Sequence, residues 1–144
     1  MKPKILIVDG HSAIFASADL STLHARHSAS ARERLIHSLT RLQDSSDWTV
    51  AVVFDGRGAK ATSAGEPYGI AVFYSKSGQT ADSLIERLVV KYAPGHEVTV
   101  ATNDHMERTT AESFGGSAIS IEQLAGHLRE TEGDLQNTLK RLRR

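Results

Sequence analysis

Short apolar runs rich in β-branched residues recur along the chain and predict five strands. They are KILIV (4–8), TVAVVF (49–54), IAVFY (70–74), EVTVA (97–101) and a weaker SAISI (117–121). Runs of this length and composition are typical of strands that lie inside a sheet. The first run ends abruptly at Asp9-Gly10, which places a carboxylate at the end of the most hydrophobic run in the chain.

Two segments between these runs have the apolar spacing of an amphipathic helix. The apolar positions are Leu35, Ile36, Leu39 and Leu42 within 29–43, and Leu84, Ile85, Leu88 and Val89 within 80–91. The segment HMERTTAESF (105–114) also predicts a helix. The last segment, TEGDLQNTLKRLRR (131–144), predicts a helix that ends in four basic residues, which suit a helix C-terminus.

The alternation of strands and helices predicts a three-layer α/β domain with a mostly parallel sheet. Parallel neighbours need crossover connections, and helices then cover both faces of the sheet. The stretch GRGAKATSAGEPYG (56–69) is rich in glycine and small residues and is typical of a loop. We expect one domain over residues 1–144, because this length suffices for a single hydrophobic core.

Composition excludes several classes of protein. The chain has no cysteine, so neither a disulfide framework nor a thiolate metal site is possible. No stretch has the length of a membrane span, and the start lacks the longer apolar run of a secretory signal, so we expect a cytoplasmic protein without membrane contact. The 17 basic and 17 acidic residues cancel, so any contact with nucleic acid must come from local patches.

Aspartates follow three of the predicted strands. Asp9 follows the first, Asp55 the second and Asp104 the fourth, while Asp82 lies in the first turn of the helix after the third, one turn before Glu86. The carboxyl ends of parallel strands meet at one edge, where such sheets bind ligands. Carboxylates that converge there repel one another unless a cation intervenes, which indicates a site for Mg²⁺ or Mn²⁺. Such a site suits in-line attack on a phosphodiester.

Each aspartate also has an ordinary structural interpretation. Asp9 and Asp55 each precede glycine and could form a tight turn. Asp104 could cap the helix that follows it, and Asp82 could complement a helix dipole behind a Thr80 cap. The placement of all four at one edge favours a shared function.

Other chemistries lack their motifs. The phosphate-binding patterns GxxxxGK[ST] and GxGxxG are absent after the first strand, and no serine lies in a GxSxG turn. A phosphatase of the haloacid dehalogenase type needs a second aspartate at position 11, which is His11 here. These absences leave the acidic centre as the main candidate site.

The segments ILIVDGHSAIF, VAVVFDG, VFYSKSGQTADSLIERLV and VTVATNDHMER together resemble the YacP-type NYN domain, a branch of the PIN-like metal-dependent nucleases. The resemblance extends from Ile5 to about Leu124. It implies a Rossmann-like PIN sheet with strand order 3-2-1-4-5 and cleavage of RNA at an acidic Mg²⁺ or Mn²⁺ centre. By motif, Asp9, Asp82 and Asp104 correspond to the catalytic and metal-binding acids, and Asp55 to a further metal-binding acid.

Further polar residues are expected around this centre. The family usually has asparagine where this chain has Ser12, which is shorter but can still donate a hydrogen bond to Asp9 or to a metal-bound water. Glu86 and Asn103 are the other candidates for this supporting shell. The candidates for contacts with single-stranded RNA are Arg57, Lys60, Lys76 and His11, of which His11 could stack on a base.

Two functions from different classes follow from the sequence. One is a metal-dependent endoribonuclease that hydrolyses single-stranded RNA, either free or as mRNA on the ribosome. The other is a PIN-like module that binds RNA or the ribosome with weak or no catalysis. Retention of Asp9, Asp82 and Asp104 favours the enzyme, because a binding module has no need of all three acids.

Overall fold

Five parallel strands form the centre of the fold in the computed structural model, which describes residues 2–56, 69–76 and 78–143. The strands are β1 (Lys4–Asp9), β2 (Trp48–Phe54), β3 (Ala71–Tyr74), β4 (Glu97–Ala101) and β5 (Ser117–Ile119). Their order in the sheet is β3-β2-β1-β4-β5, and every pairing is parallel. The expected fold class and strand order are therefore confirmed.

The register brings the carboxyl ends of the central strands to one level. Asp9 pairs with Val53, and Val8 pairs with both Val52 and Ala101. The chain leaves β1 between β2 and β4, which is the position where ligands bind in sheets of this kind. The end of β1 is thus the structural centre of the carboxyl edge.

Six helices lie within the described residues. They are α1 (Gly10–Phe15), α2 (Ala18–Arg26), α3 (Ser28–Ser45), α4 (Ala81–Tyr92), α5 (His105–Ser113) and α6 (Ile121–Leu142). The helices predicted from apolar spacing are confirmed as α3 and α4. The helix predicted over 131–144 starts earlier, because Ser120 and Gln123 form a capping box ahead of Ile121.

The sequence pattern did not predict α1 or α2. The first has only six residues, too few to show a helical period. The second has no fully buried residue, and the two leucines that pack against the core, Leu20 and Leu23, are too few to be recognised as an apolar stripe. Its start is set by Ser17, whose side chain accepts a hydrogen bond from the backbone of Leu20.

Alternate residues of the strands pack into two apolar layers. On one face, Leu6 and Val8 of β1 pack in a cluster with Leu35 and Leu39 of α3. On the other face, Ile7 packs in a cluster with residues of α4 and α5. Because both faces of the sheet are covered, its open edge at the strand ends is where polar groups collect. No helix in the described part of the chain is long and apolar enough to cross a membrane.

Candidate metal centre at the carboxyl edge

Asp9 is held rigidly at the end of β1. It is 4 % exposed, and its Oδ1 accepts hydrogen bonds from the backbone N–H groups of His11 (3.1 Å) and Ser12 (3.3 Å). Its Oδ2 accepts from Ser12 Oγ and Thr102 Oγ1, each at 2.9 Å. Asp9 is therefore the N-cap of α1, and the hydrogen bond predicted from Ser12 is present.

A polar network joins this aspartate to the segment after β4. Ser12 Oγ accepts from the backbone N–H of Asn103 at 3.2 Å, and Thr102 Oγ1 accepts from that of Asp104 at 3.0 Å. Thr102 is fully buried, so its hydroxyl has no access to water and depends on these partners. The two central strand ends are thereby fixed relative to each other. Thr102 is not among the site residues predicted from the sequence.

Three carboxylates from three elements converge next to this network. Asp9 follows β1, Asp82 lies in the first turn of α4, and Glu107 lies in the first turn of α5. One oxygen of each lies within 4.8 Å of the others. Asp82 is exposed, whereas Asp9 and Glu107 are buried. The centre therefore opens to solvent on the side of Asp82.

Glu107 is the unusual member of this group. It is 6 % exposed, and neither carboxylate oxygen has a hydrogen-bond partner among the described residues. Burial raises the pKa of Glu107, and the adjacent carboxylates of Asp82 and Asp9 raise it further, to about 10. In the absence of a cation this group is therefore protonated at neutral pH.

The donor set fits a hard divalent cation. Mg²⁺ and Mn²⁺ take oxygen ligands, and all three converging side chains are carboxylates. A cation held here would give the unpartnered oxygens of Glu107 a partner and would offset the repulsion among the three groups. The residues present thus suit the kind of ion that the sequence analysis expected.

The carboxylates of Asp104 and Asp55 bind the starts of helices and do not belong to the converging group. Asp104 Oδ1 accepts from the backbone N–H groups of Met106 (2.8 Å) and Glu107 (3.3 Å), so it is the N-cap of α5. Asp55 Oδ1 accepts from the backbone N–H of Ala81 at 3.3 Å, at the start of α4. Within the described residues the third carboxylate of the centre is Glu107, not Asp104, and Asp55 makes no fourth.

Glu107 is not among the site residues predicted from the sequence, although it belongs to a recognisable local pattern. Asp104 and Glu107 have the D-x-x-E spacing of a capping box, in which the acid at the third helical position bonds back to the N-cap backbone. Here the N–H of Asp104 donates to Thr102 Oγ1 instead, so the Glu107 side chain is not used for capping. An acid freed from its capping role is available to the neighbouring carboxylates.

The two remaining candidates for the supporting shell lie at the rim. Glu86 is exposed and lines a small cavity of about 200 Å³ together with Asp82 and Glu107. Asn103 Oδ1 accepts from the backbone N–H of Ile121 at 3.0 Å and so anchors the start of α6. Glu86 therefore lies beside the centre without belonging to the converging group, while the Asn103 side chain binds the start of another helix.

The candidates for RNA contacts fall in two groups. His11 and Lys76 line a larger cleft of about 820 Å³ at the same edge of the sheet. Arg57 and Lys60 lie outside the described residues. The larger cleft and the small acidic cavity both include Thr80 in their walls, so they adjoin.

Comparisons with known proteins identify the family of this chain and related structures. The family model of the YacP-like NYN domain matches residues 6–144. An uncharacterized protein YacP from Bacillus subtilis (strain 168) is 30 % identical over 142 residues, which is 97 % of this chain and 82 % of that protein. The crystal structure of Rae1 (YacP) from Bacillus subtilis superposes with a TM-score of 0.84 at 27 % identity, covering 96 % of this chain and 81 % of that one. Its W164L mutant gives a TM-score of 0.83 at 26 % identity, covering 96 % and 82 %.

Proposed function

The chain belongs to the YacP-like NYN domain family, which has a PIN-like nuclease fold, and on that premise we propose that it is a metal-dependent endoribonuclease. Its proposed reaction is hydrolysis of phosphodiester bonds in single-stranded RNA in the cytoplasm. The proposal applies equally to free RNA and to mRNA on the ribosome. The observation that carries it is the convergence of Asp9, Asp82 and Glu107, with both oxygens of Glu107 unpartnered among the described residues.

We assign Asp9, Asp82 and Glu107 as the residues that hold Mg²⁺ or Mn²⁺. When bound, such an ion supplies an activated water and neutralises charge on the scissile phosphate. Asp9 contributes a ligand that is fixed in orientation, because Ser12 and Thr102 hold it through its Oδ2. Asp82 contributes the solvent-facing ligand, on the side from which RNA would approach.

Glu107 has a second consequence for ion binding. Because its pKa is raised to about 10, it holds a proton at neutral pH when no cation is present. It must lose that proton to act as a ligand, so ion binding releases a proton and strengthens as pH rises. The low dielectric around this group makes its charged form costly without the ion, which keeps the Glu107 side chain neutral until an ion is bound.

Asp104 takes a positioning role in this proposal. It accepts a hydrogen bond from the backbone N–H of Glu107 itself, and so fixes the first turn of α5 where Glu107 must face Asp9. Asp55 acts in the same way on the first turn of α4, which carries Asp82. Both aspartates thus support the centre through the start of a helix, Asp104 as the N-cap of α5 and Asp55 through the first residue of α4, whose N-cap is Thr80.

The proposed contacts with RNA lie beside the centre. Lys76 and His11 line the larger cleft, where a lysine can neutralise a phosphate and an imidazole can stack on a base. Arg57 and Lys60 remain proposed phosphate contacts on the strength of the sequence alone.

A cleavage assay tests the proposal. Wild-type protein is incubated with a labelled single-stranded RNA and with duplex DNA of the same sequence, each in Mn²⁺, in Mg²⁺ and in EDTA. We expect cleavage of the RNA with either metal, none in EDTA, and little cleavage of the DNA. Asp82→Asn, purified in parallel, controls for a contaminating nuclease, because its exposed side chain can be changed with little effect on folding.

Three outcomes would contradict the proposal. Equal cleavage by the Asp82→Asn variant would mean that the activity comes from elsewhere. Faster cleavage of DNA would assign the chain to a DNA-directed branch of the same fold. Tight binding of RNA without cleavage in any metal would favour the binding module.

A further inference from the structure

The larger cleft at the carboxyl edge has walls from two parts of the chain. One wall comes from α1 and α2 with Arg32 of α3, and the other from the ends of β2 and β3 and the segment leading to α4. Its volume of about 820 Å³ lies in the range of sites that bury small organic ligands. A metal ion held at the proposed centre would leave this cleft free, because none of the three converging carboxylates lines it.

Three aromatic rings form a row along one wall. Phe15, the last residue of α1, lies between His11 at 4.5 Å and His24 of α2 at 5.0 Å, measured between ring centroids. Phe15 is 48 % exposed, whereas the adjacent Ile14 is 2 % exposed and belongs to the core. The exposed part of the Phe15 ring faces the cleft, so it offers apolar surface to a ligand there.

The row of rings begins next to the metal centre. The backbone N–H of His11 donates to Asp9 Oδ1, so its ring is only two residues along the chain from a proposed ligand. Thr80, which lines both cavities, forms the boundary on the other side. A nucleotide chain that crosses the centre can therefore place a neighbouring base in the cleft.

The charge of the cleft suits the rest of a nucleotide. Arg32 and Lys76 both line it, and neither forms a salt bridge with any residue that the structure describes. Asp55 also lines the cleft, but its Oδ1 is engaged by the backbone N–H of Ala81. By contrast, no lysine, arginine or histidine is among the described residues around the small acidic cavity. Basic side chains beside exposed aromatic rings are the usual features of sites that bind single-stranded nucleic acid.

We propose that this cleft binds one unpaired nucleobase of the RNA, next to the scissile phosphate, with the base stacked on Phe15. Arg32 and Lys76 neutralise the phosphates that flank this base. The inference rests on the proposed function for the identity of the polymer. It predicts a preference for single-stranded RNA, because bases within a duplex are already stacked and cannot enter.

The test measures binding without cleavage. Fluorescence anisotropy with a short single-stranded RNA in EDTA compares wild type with Phe15→Ala, Phe15→Trp and Phe114→Ala. Phe114 is the matched control, because it is 45 % exposed at the end of α5 and does not line the cleft. We expect Phe15→Ala to weaken binding about tenfold, Phe15→Trp to retain it, and Phe114→Ala to leave it unchanged.

A set of RNAs that each lack one base locates the interaction. With wild type, we expect one position at which removing the base costs about as much as Phe15→Ala. With Phe15→Ala, removing that same base should cost nothing further, because both changes delete one contact. Full additivity of the two losses, equal effects of Phe15→Ala and Phe114→Ala, or no binding of RNA by wild type would each overturn the inference.

These results are independent of the proposed reaction. If wild type cleaves RNA while Phe15→Ala binds normally, the cleft assignment fails and the proposed function stands. If Phe15→Ala weakens binding while no metal supports cleavage by wild type, the proposed function fails and the cleft assignment stands.

Discussion

The two cavities at the carboxyl edge adjoin at Thr80 and differ in chemistry. The small cavity contains Asp82, Glu86 and Glu107, with no basic residue among its described walls, whereas the large cleft has aromatic rings and two cations. A surface that binds RNA without cleaving it would place basic side chains at the phosphates. Here the carboxylates of Asp82 and Glu107 lie in a different cavity from Arg32 and Lys76, an arrangement that suits a metal ion at the scissile phosphate and basic side chains at the neighbouring phosphates.

The two cavities therefore have different proposed roles: the acidic cavity serves cleavage, and the larger cleft serves RNA binding. Changes in the acidic cavity should abolish cleavage while leaving metal-free RNA binding intact, and changes in the cleft should do the reverse. The effect expected of Phe15→Ala on binding, argued above, is one half of that contrast.

The largest effect is expected for Asp9→Asn. If Asp9 is a metal ligand, the variant should retain less than about one hundredth of the wild-type cleavage rate, a loss of roughly 2.7 kcal/mol or more in transition-state stabilisation. RNA binding in EDTA should not weaken, because a negative charge is removed from the phosphate path. Rates under single-turnover conditions and anisotropy in EDTA measure the two quantities.

Asp47→Asn is the matched control for this variant. Asp47 is exposed and precedes β2, at the opposite end of the sheet. It should cleave and bind like wild type. Wild-type cleavage by Asp9→Asn would contradict the proposed centre, since asparagine serves as well as aspartate in a helix cap but is a poor ligand for Mg²⁺.

Much of the fold and part of the centre could be predicted from the sequence. Strands such as β1 and β2 are continuous apolar runs, and the order of the sheet followed from the family resemblance. Asp9 and Asp82 could be placed at one edge because parallel strands align their carboxyl ends. The hydrogen bond from Ser12 to Asp9 could also be predicted, because the two residues are local neighbours.

Glu107 and Phe15 could not be assigned in this way, because their roles depend on packing between distant parts of the chain. An acid in the first turn of a helix ordinarily caps or complements the helix dipole. Its burial against Asp9 and Asp82 depends on how α5 packs beside α4. The row of rings likewise depends on α2, a helix without a fully buried residue, which brings His24 to Phe15.

The raised pKa of Glu107 predicts how stability changes with pH. Its pKa is about 10 in the folded protein and 4.5 in an unperturbed glutamate, so between these values the folded state holds a proton that the unfolded state lacks. In EDTA this contribution to stability is complete below about pH 4.5 and declines as pH rises towards 10.

Glu107→Gln isolates this contribution, because the amide is neutral at every pH. In EDTA we expect the variant to melt higher than wild type at pH 8. Between pH 6 and pH 9 the gap in Tm should widen by roughly 3 to 5 °C per pH unit. Mn²⁺ should raise the Tm of wild type and shift the variant much less. Parallel melting curves for the two proteins at all pH values would contradict the raised pKa.

The smallest effect is expected at Asp104, which shares its local structure with Asp9. Each follows a central strand and accepts hydrogen bonds from two backbone N–H groups of the next helix. Asp9 alone is also held by Ser12 and Thr102 and belongs to the converging carboxylates.

If Asp104 acts only through the cap of α5, Asp104→Asn should cleave RNA within about threefold of wild type, because asparagine caps helices equally well. Asp104→Ala should lose about 1 kcal/mol of stability and cleave more slowly, because the first turn that carries Glu107 loosens. A loss of about one hundredfold or more in Asp104→Asn, with its Tm unchanged, would instead make Asp104 a ligand of the ion. In that case Asp104 would join Asp9, Asp82 and Glu107 as a ligand only when RNA and the metal ion bind, although it does not belong to the carboxylates that converge in their absence.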